Sequence, residues 1–171
     1  MFVSARPLLV VWALLGALLL AGCDSNGSAT NTADCDSRTG NAMSATVNDE
    51  AICTDLGTAL LVTPGPRLSV VGLFENGRST ISFNLDSPAV GPFDLTQADV
   101  DNDAMYGLEN ETAYYVDRDE GSGSVTITHL QDTRVKGTFE FTGIGYDVNG
   151  DPTGEQAEVE NGTFDLALSS N

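Results

Sequence analysis

Val135-Lys136-Gly137-Thr138-Phe139-Glu140-Phe141-Thr142 decides the fold. Apolar or small residues alternate with Lys, Thr and Glu along it. An extended chain points successive side chains to opposite faces, so this segment has one dry face and one wet face. The same period of two recurs in Ile81, Phe83 and Leu85 against Thr80, Ser82 and Asn84. It recurs again in Val125 and Ile127 against Thr126 and Thr128, and in Phe164, Leu166 and Leu168 against Thr163, Asp165 and Ala167. Residues 58–62, 68–74 and 113–116 are apolar on both faces and predict more deeply buried strands. Turn signals separate these runs: Pro64-Gly65-Pro66, Glu75-Asn76-Gly77, Glu120-Gly121-Ser122-Gly123, Gln131-Asp132-Thr133 and Asn149-Gly150-Asp151-Pro152. Strands about every 10 residues, with no sustained helical period, predict an all-β fold. The expected architecture is an antiparallel β-sandwich, with an up-and-down β-barrel as the alternative. Residues 96–111 are expected to form a long loop or to hold one helical turn.

Outward from this region, the N-terminus reads as an address. One basic residue, Arg6, precedes an apolar run from Leu8 to Leu20. That run is short of the ~20 residues a membrane-spanning helix needs and has the form of a secretory signal peptide. It ends in Leu20-Ala21-Gly22-Cys23. This junction resembles the lipobox of bacterial lipoproteins, which implies cleavage after Gly22 and a diacylglycerol on the Cys23 sulfur. Two or more acyl chains hold a protein stably on a bilayer. Residues 1–22 are thus read as a lipoprotein signal peptide, 23–42 as a flexible polar tether and 43–171 as the β domain. The tether is almost entirely Asp, Ser, Asn, Gly and Thr, a composition that cannot bury enough surface to order itself. The expected location is outside the cytoplasm, membrane-anchored, facing the periplasm or the cell exterior.

Within the β domain, Ser44-Ala45-Thr46-Val47-Asn48, Gly123-Ser124-Val125-Thr126-Ile127-Thr128, Val135 to Phe141 and Val159-Glu160-Asn161-Gly162-Thr163-Phe164-Asp165 form a set of landmarks. Together they resemble a group of small secreted bacterial lipoproteins with a β domain of unknown function. The resemblance implies the fold and the address, and carries no activity or site residues.

Charge narrows the partners. The chain carries 25 Asp and Glu against 7 Lys and Arg, a net charge of −18. Binding to nucleic acid or to anionic lipid needs clustered cations, so neither is expected, and the membrane is reached through the lipid anchor alone. Hydrophobic residues make up 41% of the chain, enough to build a core despite the acidity. Such a surface repels itself and is relieved when salt screens it, so adaptation to high salt is its plainest reading. A surface for divalent cations or a cationic partner is the functional alternative. A monomer is expected, and the sequence specifies no ligand or protein partner.

Cys23 is assigned to lipid. Cys35 and Cys53 then form an even pair in an exported chain and are read as a disulfide. It would close a loop of about 18 residues and stabilise by ~3 kcal/mol on a chain-entropy basis. Asp147, Asn149 and Asp151 occupy alternate positions like the start of a calcium loop, with Glu155 following and Glu158 at the twelfth place. Pro152 stands where such a loop has glycine, and Asx residues also belong in ordinary turns. Calcium therefore remains an alternative, and the only other non-protein group expected is the lipid on Cys23. Asp99-Val100-Asp101-Asn102-Asp103 is a second acidic stretch. His129, the single imidazole, falls in register with Val125 and Ile127, which points it toward the core or a strand end as a structural residue. No nucleophile elbow or phosphate-cradling glycine loop is present. Of the four tyrosines, adjacent Tyr114 and Tyr115 should face opposite sides of a strand, leaving one outward for a sugar ring. These features describe a lipid-anchored, acidic, non-enzymatic envelope protein serving as a structural or binding module. A glycan- or calcium-binding sandwich is the first alternative, and an envelope hydrolase using carboxylates the second.

Overall fold

The computed structural model describes residues 40–62, 66–96, 101–109, 112–116 and 120–170. Residues 1–39, which include the expected signal peptide, Cys23, Cys35 and most of the expected tether, lie outside these. Eleven strands form: β1 (Ala42–Val47), β2 (Glu50–Thr54), β3 (Gly57–Val62), β4 (Arg67–Phe74), β5 (Ser79–Asp86), β6 (Gly91–Asp94), β7 (Asp103–Leu108), β8 (Ala113–Val116), β9 (Ser122–Gln131), β10 (Arg134–Tyr146) and β11 (Pro152–Ser170). A single 3-10 turn, Glu75–Gly77, joins β4 to β5. Among the described residues no helix is long and apolar enough to cross a membrane.

The strands make one mixed sheet in the order β2-β1-β11-β3-β4-β5-β7-β8-β10-β9-β6, with a further ladder between β10 and β11. The two longest strands fold this sheet into two layers. One edge of β10 follows β11, while its other edge passes from β9 to β8 at Ile144. The end of β11 runs past its β10 partner and pairs Leu168–Ser170 with β3. One layer is therefore β2-β1-β11-β10-β9-β6 and the other β3-β4-β5-β7-β8. β1–β2 and β9–β6 branch away from the linked strands, so the architecture is not a clear barrel. The strand order is not that of an up-and-down meander either.

Alternation builds the core as the sequence implies. Met43, Leu68, Val70, Ile81, Phe83, Leu85, Val125, Ile127, Val135, Phe139, Phe141, Val159, Phe164 and Leu166 are buried in one cluster. Phe83 of β5 packs across the layers, its ring centroid 5.6 Å from Phe139 and 5.2 Å from Phe164. At about 25 cal/mol per Å² of apolar surface, each of these rings contributes at least as much burial energy as any one aliphatic side chain around it.

Five expectations are corrected. The sheet is not wholly antiparallel, because the β11–β3 ladder is parallel. The stretch expected as a loop or helical turn contains β7, paired with both β5 and β8. Its sequence hid the strand because Ala104 is its only fully buried residue. The runs apolar on both faces are not buried on both: Leu60, Val62, Leu73 and Tyr115 face outward from β3, β4 and β8. His129 does not share a face with Ile127. Between the pairs Lys136–His129 and Gly137–Ile127, β9 carries one extra residue. A bulge of this kind reverses the alternation. Leu130 then packs on the core, and half-buried His129 lies opposite Lys136 on the outer side. Strand pairing begins at Ala42, and Asn41 accepts an N–H bond from Ala167 and from Gly57, so residues 41 and 42, expected at the end of a tether, are held on the sheet.

A second bulge sits in β11, where Asn161 has φ 52° and both β1 and β10 shift register. It carries inward-facing positions from Ala157 and Val159 to Gly162, Phe164 and Leu166. β1 and β2 meet through Asn48 and Asp49, both at positive φ, as a tight two-residue hairpin demands. Cys53 of β2 is disulfide-bonded. The edge strand β6 contains Pro92, which lacks the donor an interior strand needs.

Candidate functional site: an open tyrosine–carboxylate cleft

The site grows from the register of two short ladders. β8 places Tyr114 inward and Tyr115 outward, as alternation demands. Tyr114 stacks on Tyr106, with centroids 6.0 Å apart and ring planes at 22°. Burial, followed by the nearby Glu75 carboxylate, pushes the Tyr106 phenol above its ordinary value. Tyr115 is 43% exposed. β8 and β10 then pair Tyr115 with Ile144 and Ala113 with Tyr146. That offset brings the Tyr115 and Tyr146 rings together edge to face, 6.0 Å between centroids and 66° between planes. The Tyr146 hydroxyl donates to the Glu120 carboxylate.

Around these rings opens a cleft of about 530 Å³, lined by Ala113, Tyr115, Glu120, Tyr146, Asp147, Val148 and Gly150. Among the described residues its polar side chains are two phenols and two carboxylates, and none of its lining residues is cationic. Val148 at the hairpin tip is 75% exposed. Smaller hollows, of about 300 and 440 Å³, lie along β9–β11, one lined by Glu140, Glu158 and Glu160 and another by Thr126, Thr138 and Thr163. Neither presents an exposed aromatic ring.

The hairpin 147–151 shows what the acidic spacing does. Asp147 Oδ1 accepts the N–H groups of Asn149 at 2.8 Å and Asp151 at 2.9 Å, and Oδ2 accepts the Asn149 side-chain amide at 3.1 Å. The backbone closes through the Asp147 N–H to the Asp151 carbonyl at 3.0 Å. Asp147 and Asn149 are thus brought together as a turn. Glu155 instead accepts from the Tyr114 hydroxyl at 3.3 Å, and the Glu158 N–H donates to Asn48 Oδ1 at 2.9 Å. Among the described residues no three His, Cys, Asp or Glu side chains group as metal ligands. In the second acidic stretch Asp99 lies outside the described residues. Asp103 is held there by Arg67 at 2.9 Å and Asn84 at 2.8 Å, and the Asp101 carbonyl accepts from Arg67 at 3.0 Å.

The Asp151 N–H, then the Asn149 side-chain amide and N–H, hold the Asp147 carboxyl below the usual carboxylate range. Asp165 is lowered by the Arg134 guanidinium first, and Asp94 by the Thr96 N–H. A carboxyl depressed by folding contributes stability that is complete above its unfolded value, about 3.9 for Asp. That contribution is lost as pH falls through the folded value. Asp147→Asn should therefore flatten the decline of melting temperature with acidification below about pH 4. Equal slopes for the variant and the parent protein would count against the turn bonds.

Tyr115 was legible as one of an adjacent pair facing opposite ways. Glu120 and Val148 were not, since each reads only as part of a turn. The signal that would have found the cleft is the pairing of Ala113 with Tyr146, which no local pattern contains.

No match to a curated protein or to a solved structure is found. Residues 40–166 match the model of a family described as a domain of unknown function, DUF6252. The match spans the strands from β1 into β11, most of the chain, and the chain therefore belongs to the DUF6252 family.

Proposed function

We propose that this protein is an exported, lipid-anchored envelope module whose β domain binds a ligand without catalysing a reaction. The observation that carries the binding role is the open cleft at Tyr115 and Tyr146, where the exposed Tyr115 ring and the half-buried Tyr146 ring stand beside two carboxylates. Exposed aromatic surface with polar groups placed around it is the usual make-up of a recognition site.

The address rests on the apolar run ending at Cys23, ahead of a domain whose strands begin at Ala42. With Cys23 given to lipid, Cys35 is the partner we assign to Cys53. The tether would then be stapled to the β2 edge of the sheet.

Cys23→Ser should stop processing. The variant is expected to keep residues 1–22 and to lack the mass of acyl chains, read by intact mass and detergent-phase partitioning. A variant still cleaved after Gly22 and still entering the detergent phase would overturn the anchor.

A further inference from the structure

We propose that the ligand of the Tyr115–Tyr146 cleft is an organic ammonium group, of the quaternary or alkylammonium class. This rests on the binding role just assigned and adds to it the chemical class of what binds.

Three features of the cleft favour a cation over a neutral sugar. First, the two rings meet at 66°, forming a corner and not a common platform. A pyranose lies flat on one ring face, whereas a compact cation gains from every ring face turned toward it. Second, the Tyr146 hydroxyl donates to the Glu120 carboxylate. A phenol hydrogen-bonded to an anion carries a more electron-rich ring, which strengthens the attraction of that ring for positive charge. Third, the charged side chains that line the cleft among the described residues, Glu120 and Asp147, are both acidic. Asp147 stays ionised because its turn stabilises the carboxylate. The chain as a whole carries −18, so the long-range field also draws cations toward this rim.

Val148 completes the argument for an organic cation over a metal ion. Its apolar side chain stands 75% exposed at the lip of the cleft, where it would contact methyl or methylene groups. A bare divalent ion would instead need three or more converging oxygen ligands. Asp147 already spends its oxygens on N–H donors of its own turn. A quaternary ammonium needs no such ligand shell, because its charge is spread over methyl groups that pack against aromatic faces.

The test uses the full-length protein in a polyoxyethylene-ether detergent, which carries neither ammonium nor saccharide. Choline chloride is titrated by calorimetry, against sodium chloride at equal ionic strength. Its neutral isostere 3,3-dimethylbutan-1-ol and oligosaccharides of glucose and N-acetylglucosamine are titrated separately. Saturable choline binding is expected, with the isostere at least tenfold weaker. Tyr115→Ala and Glu120→Gln should each weaken choline about two- to fivefold, the scale of a solvent-exposed cation–π contact or charge pair. Tyr146→Phe keeps the ring and should cost less than either. Circular dichroism and melting temperature establish that each variant is folded, which the exposure of Tyr115 and Glu120 favours.

Equal binding of the isostere, or no effect of Glu120→Gln, would overturn the ammonium assignment. Saturable saccharide binding that Tyr115→Ala abolishes, with choline silent, would overturn the ligand class and leave the binding role standing. Silence from choline and the saccharides alike would overturn both.

Discussion

Phe83→Ala is expected to destabilise the domain by about 3–5 kcal/mol, the range for deleting a fully buried phenylalanine. The ring has no exposure to solvent. It stands on β5 in one layer and touches Phe139 of β10 and Phe164 of β11 in the other. Truncation removes the transfer energy of the ring and leaves a cavity between the layers. Collapse into that cavity is resisted because β5 is laddered to β4 and β7 on both sides, while β10 and β11 are laddered to each other. The cost should therefore fall at the upper part of the range. Urea unfolding should show a lower midpoint with an unchanged slope, the signature of lost stability and not of a changed denatured state. A loss below about 1 kcal/mol would mean that the layers do not meet at Phe83.

Gly137→Ala is expected to cost about 1–3 kcal/mol or more, although it adds a single methyl group. A Cβ at this position would stand 2.2 Å from the Thr126 carbonyl oxygen and 2.5 Å from the edge of the Phe164 ring. The carbonyl belongs to backbone, so relief requires β9 to move away from β10. Gly137 pairs with Ile127 on one side and Phe164 on the other, beside the bulge that turns His129 outward. Displacing β9 there would break the ladder that holds β6 and β9 on the layer. Gly107→Ala is the control, since its Cβ would meet only the Met105 side chain at 3.6 Å and beyond. At a compatible backbone position this change is neutral or stabilising by about 0.4–1 kcal/mol, through the unfolded chain. Equal melting temperatures for the two variants would show that β9 and β10 do not approach as closely as the structure has them.

Both substitutions lie in segments whose inward residues the sequence already marks. Phe83, Phe139 and Phe164 fall on the apolar side of their alternating runs, and all are buried. Tyr114 and Tyr115 divide between the two faces for the same reason. Inward and outward assignment along an uninterrupted strand is a local property, because the extended backbone reverses the side-chain direction at each residue. The aspartates and glycines of 147–151 likewise announce a turn through chemistry confined to five neighbouring residues.

The failures share a different cause. β7 carries no local signature, because its weakly patterned Asp103–Leu108 gains its place from β5 and β8, not from its own side chains. His129 leaves the face of Val125 and Ile127 because a single extra residue in β9 reverses everything after it, and that residue is an ordinary threonine. The parallel β11–β3 ladder and the passage of β10 from β9 to β8 join segments far apart in the chain. No periodicity records such pairings, which are selected by the shape of the assembled core. The cleft belongs to this second group. Tyr115, Glu120 and Tyr146 become neighbours only when Ala113 pairs with Tyr146. Alternation along each strand thus determined which residues are buried. The tertiary structure decided which strands meet, where bulges reverse the faces and where two tyrosine rings gather beside carboxylates, because each of these depends on contacts between distant segments that carry no local signature.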